Sequence, residues 1–175
     1  MYPKEYIDYL IQFHAERDYF ECHEILEEYW KKEDPSNKNS IWVALILLAV
    51  SAYHHRRGNF SGAMRTLLKA KAIFLRNQSQ VQILGLDTLQ LFTLLDDRCS
   101  QIKQNNDFTN FPLPISDAQL LELCNYECKK RELTWNNGSS TTEHDIIHRH
   151  ITRDRTSVIK EREQAKMDKK KKGNE

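Results

Sequence analysis

The stretch "IWVALILLAVSAYHHRR", residues 41–57, decides the fold. It follows a polar "SNKNS", is apolar on nearly every face, and gathers charge only at its end. A helix that is apolar all round belongs in the middle of a bundle, where neighbours cover each side. The unbroken apolar run, Ile41 to Val50, is far too short to span a bilayer, which takes about 20 such residues. The stretch therefore predicts a central, buried helix.

Its neighbours read as helices too. Upstream, Pro3 opens a first helix with Tyr6, Leu10 and Phe13 on one stripe. Asp18 can cap a second helix, with Glu21 three residues on as in a capping box, and Pro35 in "EDPSN" ends it. Downstream, Gly58 and Asn59 turn the chain into a fourth helix, Phe60 to about Leu75, whose Ala63, Ala70 and Ala72 allow close approach. Asp87 caps the next helix, and "QNNDFTNFPLPISD" forms an irregular strap that lays Phe108, Phe111 and Leu113 across the bundle. A further helix starts at Ser116 or Asp117.

The expected fold is all-α, a compact bundle of about five to six helices with an extended, charged C-terminal helical tail. Residues 1–135 make a single helical domain; 136–175 make a linker and a charged, partly disordered tail. Net charge is +1, so no global field calls for nucleic acid. From Glu143 onward there are ten Lys/Arg against seven Asp/Glu. Those acidic residues interleave with Arg149, Arg153, Arg155 and Lys169–Lys172, and no aromatics accompany them, which excludes specific nucleic-acid binding and suits a solvated, partner-docking helix. His144, His148 and His150 in the same segment read as exposed histidines.

The N-terminus has no basic-then-apolar leader. Cys22, Cys99, Cys124 and Cys128 have no zinc-ribbon spacing and read as reduced thiols of a cytoplasmic protein. There is no glycine-rich phosphate loop, no serine elbow and no CxxC, so nucleotide-dependent and thiol-redox chemistry lack a motif. "AYHHRRGNF" has the rhythm of one tetratricopeptide hairpin, but no second copy follows it.

Chemistry concentrates in the second helix, "YFECHEILEEYW", residues 19–30. At about 100° per residue, His23 and Glu27 fall at the edge of the apolar face beside Trp30, while Glu21 and Glu28 point away from the core. "HEILE" is HExxE: His23 and Glu27 stand where a zincin has its two histidine ligands, and Glu24 stands where it has its general base. Zinc accepts carboxylate oxygen, so this pair plus a further ligand, His54 or His55 at the end of the third helix or His14 just before the second, can make a metal site. The same pair can equally be a hydrogen-bonded network with no ion.

The pattern ExHExLExxW at Glu21–Trp30, then YHxxRGNxxGA at Tyr53–Ala63, then Gly-Leu-Asp at 85–87, resembles the family named domain of unknown function 309. The resemblance covers roughly residues 5–105. It implies a compact, all-helical cytoplasmic domain, sometimes labelled a predicted metal-dependent hydrolase. Its polar signature falls on Glu21, His23, Glu24, Glu27 and His54, with Arg57, Gly58 and Asn59 at the turn. His14 departs from the family pattern and is not counted in the site. The charged extension resembles that of a Bacillus-like branch.

The expectation is a non-catalytic scaffold that binds another protein through its tail or a helical groove, with self-association open. The alternative is a hydrolase using a divalent metal such as zinc, with His23, Glu27 and His54 as ligands and Glu24 as base.

Overall fold

The computed structural model describes residues 1–136, 144–148 and 156–172. Arg149, His150, Arg153 and Arg155 lie outside the described residues. In chain order the helices are α1 (Lys4–Ile11), α2 (Tyr19–Glu33), α3 (Ile41–Arg56), α4 (Phe60–Arg76), α5 (Gln78–Ile83), α6 (Thr88–Lys103), α7 (Ala118–Lys130), α8 (His144–Ile147) and α9 (Thr156–Lys172). The fold is all-α; among the described residues the only β pairing is an isolated bridge between Leu86 and Ile115. No helix among them is long and apolar enough to cross a membrane.

α3 is the central helix, as its all-round apolarity predicts, and α2 and α4 pack along it. Leu45, Ala49 and Ala44 are fully buried, while Leu48 and Ala52 are nearly so. α1 packs on α2 and α7, and α6 closes the bundle against α4. Tyr6, Tyr9 and Tyr19 are buried rings whose hydroxyls find acceptors: Tyr6 donates to the Leu84 carbonyl, Tyr9 to the Leu45 carbonyl and Tyr19 to Asn110, each at 2.9 Å. A buried phenol without such a partner costs about 1–3 kcal/mol. These bonds therefore fix which helix each ring faces.

The first helix does not run on in α geometry through Phe13. Its last turn, Gln12–Glu16, is π-helical and stops at Arg17, which takes a left-handed backbone with φ +57°. The wider turn keeps Phe13 and His14 buried together while the chain swings into α2. Arg17 is buried and donates to the Phe13 and Phe111 carbonyls, both at 3.1 Å. Asp18 then caps α2 by accepting from the Glu21 amide at 3.0 Å. This reversal sets the rotation of α2, and so the direction in which His23 points.

The strap lies where its aromatics predict. Phe111 packs edge-on to Phe13 at 5.4 Å, and Phe108 edge-on to Tyr19 at 5.6 Å. Arg98 of α6 is 4% exposed and pairs with no carboxylate among the described residues; its guanidinium lies 4.5 Å from the Phe111 ring centroid and 5.2 Å from that of Phe108. Gly85, at φ +74°, sits where Tyr2 and Asp117 converge; a Cβ there would stand 2.7 Å from the Tyr2 hydroxyl. α5 was not anticipated: its QSQVQI is polar apart from Val81 and Ile83, too short for a periodic signal.

The bundle reaches one residue past the expected boundary at 135. Trp135 stacks on His14 at 4.4 Å, and the Asn136 side chain meets His14 Nδ1 at 2.7 Å. Beyond it, α8 and α9 return to the α2–α3 face. Arg56 donates to the Ile146 carbonyl at 3.5 Å and Arg57 to His148 Nδ1 at 3.1 Å. The described side chains of α9 are exposed, as its charge predicts.

Candidate functional site

α2 brings three of the expected site residues together. His23 Nε2 lies 2.7 Å from a Glu27 carboxylate oxygen, and His23 Nδ1 lies 3.4 Å from Glu24. The i,i+4 spacing puts the first pair one turn apart on the same face. Glu27's second oxygen takes Lys31 at 2.8 Å. The bond from His23, and then that from Lys31, pull the Glu27 carboxyl down to about 2 against the opposing effect of burial. His23, Glu24 and Glu27 offer donor atoms that all lie within 4.8 Å of one another. All three side chains are half-buried.

His54, the ligand expected from α3, is not in that cluster. Its Nδ1 faces the Asn59 amide nitrogen at 3.1 Å. Asn59's side-chain oxygen accepts from the Gly62 amide at 3.0 Å, so its nitrogen is the end turned to His54. Asn59 therefore caps α4 and orients His54 at once. Gly62 makes room for this: a Cβ there would stand 2.7 Å from the Asn59 amide nitrogen. The RGNxxG part of the turn is thereby explained as a cap. Burial, then Arg57 and Arg65, hold the His54 pKa below its ordinary value.

His23 and His54 instead share the wall of a depression of about 310 Å³ between α2 and α3. Tyr19, Phe20 and Tyr53 contribute its aromatic surface, and Arg57 and Arg162 stand at it. Arg57 lies over the Tyr53 ring at 5.4 Å. The carboxylates of α2 face a second, more acidic depression of about 550 Å³, lined by Glu21, Glu24, Glu27, Glu28 and Lys31 and by Glu161 of α9. Glu21 is thus on the acidic side and Arg57 on the cationic side.

Phe20, Tyr53 and Arg162 were not among the residues singled out from sequence. Phe20 and Tyr53 gave a signal as core aromatics only; Arg162 gave none, since nothing local says where a tail helix comes to rest. Among the described residues His14 and His55 are the fully buried histidines, and both are tied to backbone. His14 Nε2 accepts from the Leu113 amide at 3.3 Å, and His55 Nε2 meets the Asn106 carbonyl at 2.8 Å.

Two comparisons bear on this geometry. The family described as "Domain of unknown function (DUF309)" matches residues 6–66, a span that runs from within α1 through α2, α3 and the Asn59 cap into α4. The chain is also 47% identical over 163 residues to the uncharacterized protein YpuF of Bacillus subtilis (strain 168), covering 93% of this chain and 94% of YpuF. The chain belongs to the DUF309 family. A 163-residue alignment outruns the bundle, so YpuF shares much of the charged C-terminal segment as well as the DUF309 core. No solved structure matches the chain.

Proposed function

We propose that this DUF309 chain is a non-catalytic helical interaction protein, in which His23, Glu24 and Glu27 form an internal polar network. The observation that carries the reading is the engagement of the His23 ring, whose two nitrogens face carboxylates of its own helix at 2.7 and 3.4 Å. A zinc hydrolase divides labour between ligands that hold the ion and a separate carboxylate that takes a proton from water. Here Glu24, at the base position, converges with the ligand positions, and His54 is turned to Asn59.

The surface supports partner binding. Leu68 and Leu75, two turns apart on α4, are 52% and 59% exposed, and Leu89 on the neighbouring α6 is 79% exposed. Exposed apolar side chains on two helices that pack together suit a second protein or a second copy of this chain. All four cysteines are free thiols, in keeping with a reducing, cytoplasmic setting.

A second reading rests on the convergence itself. One imidazole and two carboxylates within 4.8 Å suit a divalent cation such as zinc. On that reading His23, Glu24 and Glu27 hold the ion, which supplies Lewis acidity toward a hydrolysable bond. The donors fit an ion, but they do not leave Glu24 free as a base.

Metal analysis of protein purified without a metal-affinity tag separates the two, beside a His23→Ala/Glu27→Ala double variant. The interaction reading expects no stoichiometric metal in either. Stoichiometric metal that disappears in the variant overturns it in favour of the second.

A further inference from the structure

The depression between α2 and α3 differs from the rest of this face in one respect: among the described residues, no carboxylate lines it. Its neighbour across His23 is lined by five glutamates and one lysine. The two cations at it, Arg57 and Arg162, come from different parts of the chain, the turn after α3 and the tail helix α9. We propose that this depression binds a small anion carried on a flat aromatic body, with Arg57 and Arg162 gripping the anionic group and Phe20 and Tyr53 receiving the ring.

Three features support this ligand class. At about 310 Å³ the space falls within the range of small-molecule sites. Phe20 and Tyr53 stand 5.5 Å apart in a tilted pair, and His23 continues the same wall 5.4 Å from Phe20. A flat ring gains most from such a surface, because aromatic faces pair by offset and edge contacts.

Arg57 is also preorganised. Its Nε is spent on His148 and its plane rests over Tyr53, so the guanidinium is held at two points. Its terminal nitrogens make no hydrogen bond to a described residue. A guanidinium fixed in this way presents a planar fork that matches a carboxylate or a phosphate. A cationic ligand meets two arginines, and a neutral ring gains stacking alone. Only an anionic ring uses both halves of the site. Because Arg162 belongs to α9, the ligand also bridges the tail to the bundle. None of this depends on whether the α2 cluster holds an ion.

The test is an NMR titration of the full chain with phenyl phosphate, benzoate, phenol and benzylamine, repeated on Arg57→Gln and Arg162→Gln. At least one of the two anions should bind saturably, with roughly millimolar affinity or better, and shift the amide signals of Phe20, Tyr53 and Arg57. Each glutamine variant should weaken that binding at least tenfold, as loss of a charged hydrogen bond does. Phenol and benzylamine should bind at least tenfold more weakly. The tighter of the two anions identifies the preferred group. Arg162 is exposed on the tail helix, so its variant leaves the bundle folded. The proposal is overturned by the absence of saturable binding of either anion up to about 10 mM, by unchanged affinity in either variant, or by phenol binding as well as the anions.

Discussion

His14 and His23 stand close in the sequence and are held in opposite ways. His14 is 1% exposed, and its partners are remote: the Leu113 amide, the Asn136 side chain and the Trp135 ring. His23 is half-buried, and its polar partners lie on its own helix. Removing His14 takes away one tie to the strap and the ties to the chain after α7 together. Removing His23 takes away a local bond from a helix that capping and packing already hold. The lesson is that a histidine's structural weight follows how far along the chain its partners lie. By that measure the residue outside the family signature matters more to stability than the one inside it.

The largest effect should therefore come from His14→Ala. It leaves the buried Leu113 amide without its acceptor and strips Trp135 of its stacking partner, which should cost about 2–4 kcal/mol in chemical denaturation. A loss no larger than that of His23→Ala would break the contrast.

Acid should sharpen it. Burial pushes the His14 pKa down to about 4, because the charged ring is poorly solvated there. An unfolded histidine takes up its proton near pH 6.5, so between that pH and about 4 the unfolded state binds more protons. His14's contribution is complete above pH 6.5 and is lost as pH falls through the folded value, by about 3 kcal/mol in all. His55 is also shifted down, by burial first, and adds a loss of the same sign as pH falls below 6.5. Urea denaturation at pH 7.5 and 4.5 should show this loss, reduced in His14→Gln. Glu27 acts in a lower window: its carboxyl is depressed to about 2, so its stabilisation is present above the ordinary glutamate value and is lost as pH falls from there through 2, a small loss because solvent screens the half-exposed pair.

Next in size should be His55→Ala. It takes the imidazole partner from buried Arg98, which keeps Thr109 and the Phe108 and Phe111 rings, and leaves the Asn106 carbonyl without the His55 bond, at about 1–3 kcal/mol, again by denaturation. The smallest effect should be that of Glu27→Gln, which keeps the shape and loses the charge. Exposed or half-exposed helix pairs contribute about 0.3–1 kcal/mol, so its midpoint should move little.

The sequence made some of this legible and hid the rest, for physical reasons. α3 was readable because apolarity on every face has one solution, the centre of a bundle. Asp18, Asp87 and Asp117 were readable as caps because capping is local. The strap's Phe108 and Phe111 could be placed because large apolar residues in a coil must be covered. Arithmetic at about 3.6 residues per turn put His23 and Glu27 on one edge, and they do meet there. It could not show that Glu24 would turn to join them, since side-chain rotation carries no periodic signal. The π turn at Gln12–Glu16 was hidden because its stripe looks like an ordinary helix until Arg17 reverses it. His54's pairing with Asn59 depends on how a turn closes, and Arg162's place depends on where a tail folds back.

The central claim is that the α2 cluster is a network complete in itself. The most direct measurement is the melting temperature of tag-free protein with and without excess zinc, in wild type and in His23→Ala/Glu27→Ala. A metal that binds only the folded state raises the midpoint by mass action. The network reading predicts the same midpoint with and without zinc in both proteins. A zinc-dependent rise in wild type that vanishes in the double variant would contradict it.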